Sequence, residues 1–295
     1  MSMFYESVVL ALILGSMYGL TALGVNIIFG IMKIVNWAHG SILMLAMYVI
    51  YACVAFLGIS PYLAILVAAP ILFAFGYLFQ HAIIRPLYLR ERGDENPMGL
   101  LLCTAGLGII LENLALVFFR STSRSIRLPY SLHYVNIGLG ASISLVRLIG
   151  ALIAVFVTLL LWLYMNKTYS GKALRATAQN RDAAALMGVN VLRSYNLAFG
   201  IGCAICAVAG GVFATFYSIT PTAGAAIGHK AFIIMVLGGM ESIAGCFAAG
   251  LIIGFVETFG TVYINSYVAE MLCFVVFVLV LLFKPSGLFG KKVVQ

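Results

Sequence analysis

The sequence has 295 residues, of which 63% are hydrophobic and only 9% are Asp, Glu, Lys or Arg, and its mean hydropathy is +1.11. Soluble domains usually carry about 25% charged residues, so this composition excludes a water-soluble fold of this size. The formal net charge is +8, but the basic residues are scattered among apolar runs and form no basic face with interleaved aromatic residues, which excludes nucleic-acid binding.

Long apolar runs follow one another from the first residues to the last. A helix that crosses a bilayer needs about 20 apolar residues, and most of the runs meet that length. The run at 228–241 is short, so we expect it to cross only partly, or to be re-entrant and line a cavity. The sequence therefore predicts an all-α, polytopic transmembrane helical bundle of about eight to nine spans with short or re-entrant helices. The candidate spans are 7–31, 41–58, 62–82, 98–119, 146–165, 194–218, 228–241, 243–264 and 267–284.

Loop charges predict the orientation, because Lys and Arg accumulate in cytoplasmic loops. With nine crossings and an outside N-terminus, segments 83–97 and 166–193 and the C-terminal tail are cytoplasmic. Segment 120–147 conflicts with this scheme, but long loops tolerate such charge, and its extended, turn-rich sequence could cap the outer mouth. The basic residues of the three cytoplasmic segments are Arg85, Arg90, Arg92, Lys167, Lys172, Arg175, Arg181, Arg193, Lys284, Lys291 and Lys292. Those of segment 120–147 are Arg120, Arg124, Arg127 and Arg147.

Catalytic and metal-binding signatures are missing from the sequence. It has no GxxxxGK[ST], no HExxH and no GxSxG in a strand–turn–helix context. Cys203 and Cys206 have CxxC spacing, but they lie within a predicted span and lack a second ligand pair, so we interpret them as packing residues. The sequence thus predicts no catalytic residue and no metal site.

A polar, alanine-rich segment interrupts the apolar runs between residues 170 and 190. Its propensities predict a helix from Ala173 to Met187, which Asn180 or Asp182 could interrupt or cap and which Gly188 could end. The charge pattern suits a short helix at the cytoplasmic surface that presents a small-residue face to a soluble partner. A solvated connecting loop is the alternative.

Asp182-Ala-Ala-x3-Gly188 resembles the coupling motif EAA-x3-G of ABC importer permeases, which docks in a groove of the ATP-binding subunit, although the usual I-x-L-P continuation is missing. Further blocks, in order along nearly the whole chain, resemble the LivH-type permeases of branched-chain amino acid importers. They are Tyr18-Gly-Leu-Thr-Ala-Leu-Gly-Val, Ile28-Phe-Gly, Val35-Asn-Trp-Ala-His-Gly40, Gly171-Lys-Ala-Leu-Arg-Ala-Thr-Ala, Met187-Gly-Val, Lys230-Ala-Phe, Leu237-Gly-Gly, Ile243-Ala-Gly, Gly254-Phe-Val-Glu257 and Lys284-Pro-Ser-Gly-Leu-Phe-Gly290.

The resemblance implies one permease domain over 1–295, with 166–193 as its cytoplasmic coupling segment, in the bacterial inner membrane. It implies a non-enzymatic subunit that translocates branched-chain or other small neutral amino acids. The implied partners are two ABC ATPases, which would carry ATP and Mg, an external solute-binding protein and a second, distinct permease subunit; the residues alone do not tell an identical from a distinct one. The coupling residues carried over are Gly171, Lys172, Arg175, Ala176, Asp182, Ala183, Ala184 and Gly188.

Polar residues inside the spans are candidates for the translocation pathway, because a buried charge or amide costs several kcal/mol unless it faces protein or water. A helix–helix hydrogen bond is the alternative for each. Residues 36–40 form a polar hinge, where we expect a tight turn whose flanking helix ends could meet a zwitterion. Residues 237–240 could form a gate or a turn. The candidates are Asn26, Asn36, His39, Glu112, Asn113, Gly238, Gly239 and Glu257.

Two alternatives stay open. One is a permease for urea or short amides, since solute choice in such systems rests mainly with the binding protein. The other is an ion-coupled secondary transporter with Glu112 and Glu257 as carriers. Gly15-x3-Gly19 and Gly250-x3-Gly254 place small residues on one helix face and predict helix packing.

Overall fold

The computed structural model describes residues 2–91, 98–126, 128, 133–136 and 142–290. Within these ranges, eight helices are long and apolar enough to cross a membrane, and α10 is a shorter apolar helix of 16 residues. This confirms the predicted helical bundle of about eight to nine spans with one short helix. The helices are α1 (Ser2–Met32), α2 (His39–Leu57), α3 (Pro61–Phe79), α4 (Arg85–Arg90), α5 (Met98–Phe119), α6 (Leu145–Lys167), α7 (Tyr169–Gln179), α8 (Arg181–Leu186), α9 (Val191–Ala214), α10 (Ala223–Gly238), α11 (Ile243–Tyr263) and α12 (Ser266–Phe283).

The third span is longer than the sequence predicts. A π-helical turn at Gln80–Ile84 joins α3 to α4, so that one continuous helix runs from Pro61 to Arg90. Arg85 and Arg90 therefore lie on a helix and not in the expected loop at 83–97. Pro86 directly follows the π turn, and the helix continues past it to Arg90.

α1 and α9 occupy the centre of the bundle, whereas α6 and α12 are peripheral. The predicted glycine pairs bring α1 and α11 together. A methyl group on Gly250 would lie 2.5 Å from the Cα of Gly19, and one on Gly254 would lie 2.4 Å from the Cα of Gly15. The two helices thus touch backbone to backbone, which only glycine allows.

The bundle has two distinct ends, which we call the arm end and the hairpin end. α7 and α8 lie at the arm end, next to the end of α4, and the tail packs there through a hydrogen bond from Phe289 N to Gly238 O. The hairpin end carries strands β1 (Tyr134–Asn136) and β2 (Ser142–Ser144), which pair antiparallel.

Basic residues divide between these two ends as the loop charges predict. The described parts of the three segments expected to be cytoplasmic meet at the arm end, whereas the described parts of segment 120–147 lie at the other end. There, Arg124 pairs with Ile219 by backbone hydrogen bonds, and Arg147 lies over the ring of Phe216. Strands β1 and β2 agree with the extended conformation expected for this segment. Arg92, Arg127, Pro129–Tyr130, 137–140, Lys291 and Lys292 lie outside the described residues.

Two helices begin inside the bundle. Residues 33–38 leave the end of α1 without helical structure, and α2 begins at His39, whose Nε2 lies 3.1 Å from the carbonyl oxygen of Thr21. Because Thr21 lies about 16 Å along the axis of α1 from its end at Met32, α2 begins well inside the bundle. The first turn of α10 packs against Gly40, because a methyl group on Gly224 would lie 2.1 Å from the Gly40 oxygen. The predicted turn at 36–40 is therefore buried in the bundle except for Trp37, whose side chain is exposed.

Candidate functional site

α7 and α8 form a compact arm, residues 169–188, whose helices are fixed by side-chain caps. The Thr168 hydroxyl accepts a hydrogen bond from Gly171 N at the start of α7. The Asn180 side chain accepts from the N–H groups of Asp182 and Ala183, so Asn180 is the residue that interrupts the predicted helix. Gly188 ends α8 with φ +82°, a left-handed conformation, and a side chain there would meet no neighbour. The glycine is thus needed for its backbone conformation.

The exposed surface of the arm carries large apolar side chains in addition to the predicted small-residue face. Of the alanines in α8, Ala184 is buried, whereas Ala183 and Ala185 are exposed. Leu186 and Met187 are 89% and 85% exposed and form an apolar tip. Neither residue is among the predicted coupling residues. The available signal was an apolar pair at the end of a helix that lies outside the predicted spans.

Polar contacts tie the arm to the bundle. Arg181 donates from Nη1 to the Tyr88 hydroxyl over 3.0 Å, and Tyr88 lies 3.4 Å from the Tyr195 hydroxyl. The interaction with Tyr88 raises the pKa of Arg181 above its usual value, so the guanidinium stays charged. Gly171 packs directly on the end of α6, because a methyl group there would lie 2.2 Å from the Tyr164 oxygen. Of the predicted coupling residues, Lys172, Arg175 and Asp182 are exposed and Ala176 is half-buried.

A cavity lies between α2, α5 and α10, and we call it the Glu112 cavity. Polar residues of these helices, among them Ser41, Glu112 and His229, line it. The Ser41 hydroxyl donates to Glu112 Oε1 over 2.9 Å. Trp37 stacks on Phe232 with ring centroids 5.9 Å apart. The lining residues are Trp37, Gly40, Ser41, Ala105, Gly108, Ile109, Glu112, Ala225, Gly228, His229 and Phe232.

Glu257 lies elsewhere, in an ion pair that the sequence analysis did not predict. Its Oε1 accepts from Lys230 Nζ at 2.7 Å and from the Tyr18 hydroxyl at 3.0 Å. The Lys230 and Glu257 side chains are only 18% and 16% exposed. Lys230 also lies over the Tyr18 ring, 5.4 Å from its centroid. This cluster joins α1, α10 and α11.

The remaining pathway candidates do not share a cavity with Glu112. Asn26 lines a small cavity near the arm with Arg175 and Glu241. The Asn113 amide donates to the Ile109 oxygen of its own helix. The others are buried in helix packing. Asn36 lies just before α2, and His39, the first residue of α2, contacts Cys206. Gly238 and Gly239 form a turn against Cys246 and the tail. Among the described residues, no group of three or more His, Cys, Asp or Glu could hold a metal.

Comparisons with known proteins agree on one family. A family model described as branched-chain amino acid transport system permease component matches residues 7–281. The permease LivH of Escherichia coli K12 is 31% identical over 296 residues, covering 96% of the chain and 94% of LivH. The permease BraD of Pseudomonas aeruginosa is 30% identical over 99% of the chain and 97% of BraD.

A shorter match joins the chain to a sugar importer. The fructose import permease FrcC of Rhizobium meliloti is 32% identical over 112 residues, or 36% of the chain and 31% of FrcC. No solved structure matches the chain significantly. Over about a third of its length, the chain is thus also similar to a permease named for a sugar.

Proposed function

We propose that the chain translocates branched-chain amino acids in an ATP-driven importer. The basis is that it belongs to the family of permease components of branched-chain amino acid transport systems. The chain is a multi-pass inner-membrane protein. Two ATPase subunits, which bind ATP and Mg, act on the arm, and a solute-binding protein delivers the amino acid at the hairpin end. A second permease subunit completes the pathway.

The observation that carries this proposal is the arm with its apolar tip. A short, capped helix holds two large apolar side chains almost fully in solvent, and such exposure has no stabilising effect within the chain itself. Burial of each side chain against a partner would contribute about 1.5–3 kcal/mol. Because Arg181 and Gly171 fix the arm to α4 and α6, a force on the tip reaches the spans directly.

Polar side chains that α5 and α10 leave partly or fully exposed support the position of the second permease. Glu112 is half-exposed, and Asn113 and His229 are exposed, although α5 is a membrane-spanning helix. Polar groups at such positions face protein or water and not lipid. The second permease therefore covers the face formed by α5 and the first half of α10, and the Glu112 cavity opens toward it.

The arm is expected to be cytoplasmic, and cysteine labelling tests this. The native cysteines hardly interfere, because Cys103 is half-buried and the other five are buried. Asp182→Cys should react with a membrane-impermeant maleimide only in permeabilised cells, whereas Ser218→Cys, at the hairpin end, should react in intact cells. Labelling of Asp182→Cys in intact cells would show that the arm is on the external face, which would contradict the proposed function.

Leu186→Asp tests docking at the arm tip. Placing a carboxylate in an apolar contact should reduce the ATPase that co-purifies with the permease at least tenfold, since about 1.4 kcal/mol changes an equilibrium by this factor. The matched control is Tyr267→Asp, at a residue that is 85% exposed near the start of α12, away from the arm. This control should keep its ATPase. If Leu186→Asp also keeps its ATPase and imports leucine at the normal rate, the tip is not the docking site.

A further inference from the structure

Glu112 is a carboxylate within a membrane-spanning helix, and among the described residues it forms no ion pair. Among the described residues, the ion pairs are Lys33–Glu241, Arg181–Asp182 and Lys230–Glu257. Within the described part of the chain, the hydrogen bond of the Glu112 carboxylate comes from the neutral hydroxyl of Ser41, which donates to Oε1. A carboxylate at this depth is costly without a positive partner. The Glu112 carboxylate therefore has room for a positively charged partner from outside the described residues.

The surroundings of Glu112 are suited to a small organic cation. The cavity has a volume of about 150 Å³. This is about ten times the volume that one water molecule requires. Trp37 is 55% exposed at its rim and offers an aromatic ring, which attracts cations. Gly40, Gly108 and Gly228 line the wall without side chains, and a methyl group on Gly108 would lie 3.2 Å from the Ser41 hydroxyl. His229 also lines the cavity, but no hydrogen bond or ion pair joins it to Glu112 in the described part of the chain.

We propose that Glu112, held by Ser41 and flanked by Trp37, is the subsite that receives the primary ammonium group of the solute as it crosses the bundle. The inference rests on the proposed function, because it assigns a part of the solute to a part of the pathway. The carboxylate forms a charge-assisted hydrogen bond with the ammonium group, and the hydroxyl of Ser41 orients it. The apolar side chain of the solute then lies along the glycine-lined wall.

The experiment uses the complete importer, with its ATPases, second permease and binding protein, reconstituted in liposomes. Radiolabelled leucine uptake and ATP hydrolysis are measured together for the unmodified complex, Glu112→Gln, Glu112→Asp and the control Glu270→Gln. Glu270 is an exposed carboxylate on α12. The amount of co-purified second permease is measured for each variant. Loss of a charge-assisted hydrogen bond should lower the leucine imported per ATP hydrolysed by about tenfold in Glu112→Gln.

The expected pattern is a low ratio for Glu112→Gln, at least partial recovery for Glu112→Asp, an unchanged ratio for Glu270→Gln, and full recovery of the second permease in every variant. An unchanged ratio for Glu112→Gln overturns the assignment. Loss of the second permease from Glu112→Gln also overturns it, because Glu112 would then pair with a basic residue of that subunit. Failure of the unmodified complex to import leucine with ATP would instead contradict the proposed function itself.

Discussion

Glu257→Gln is expected to destabilise the folded permease by about 3 kcal/mol, because removing one partner of a buried ion pair leaves an uncompensated charge. The charge left behind is that of Lys230, whose Nζ lies 2.7 Å from Glu257 Oε1. Lys230→Met should have a similar effect, since Glu257 Oε2 is buried and has no hydrogen-bond partner among the described residues. At about 2 °C per kcal/mol for a chain of this size, the midpoint of thermal unfolding in detergent should fall by about 6 °C.

The double variant Lys230→Met/Glu257→Gln distinguishes an ion pair from two independent contributions. Removing both charges eliminates the unpaired group, so the double variant should be more stable than either single variant. Tyr18→Phe removes the hydrogen bond to Glu257 and keeps both charges, so it should cost about 1 kcal/mol. Additive losses in the double variant would show that the two charges do not stabilise each other.

The same ion pair weighs against the ion-coupled transporter that the sequence left open. A carrier carboxylate must be able to lose and gain its ion during each cycle, whereas Glu257 is already neutralised by Lys230 and bonded to Tyr18. An ion-coupled carrier would lose uptake when the ion gradient is collapsed and would keep it when ATP is depleted. The proposed importer should show the reverse behaviour.

The elements of the fold were predictable because their determinants are local. Apolar length defines the spans, and Gly188 and Asn180 end and cap helices through their own backbone and side-chain geometry. The short run before residue 241 correctly predicted a short helix. The predicted end of the third span at residue 82 is wrong, because the helix continues to Arg90 through a π turn that has no simple sequence pattern.

The site was less predictable because its contacts join residues far apart in the sequence. No short sequence pattern indicates that Lys230 pairs with Glu257. None indicates that Ser41 on α2 donates a hydrogen bond to Glu112 on α5. Asn36 and His39 were candidates because they are polar and adjoin a hinge, yet the chain folds back into the bundle there and buries both. Polarity marks a residue as constrained in a membrane, whereas the packing decides whether it faces a cavity or a neighbouring helix.

Gly254→Ala is expected to loosen the contact between α1 and α11. The added methyl group would lie 2.4 Å from the Gly15 Cα, so the two backbones must separate by about 1 Å to reach an ordinary contact, at a cost of about 2–3 kcal/mol. Gly250→Ala meets the same limit, at 2.5 Å from the Gly19 Cα. Both variants should lower the midpoint of thermal unfolding, and the pair should do so more than either alone.

Gly106 supplies the matched control, because it lies within spanning helix α5 and a methyl group there would meet nothing within 4 Å. Gly106→Ala should be neutral or stabilise the chain by up to about 1 kcal/mol, since alanine loses less conformational entropy in a helix than glycine does. The same substitution is therefore expected to have opposite signs on α5 and α11. If Gly254→Ala is as stable as Gly106→Ala, the helices α1 and α11 do not approach as closely as the two glycine pairs require.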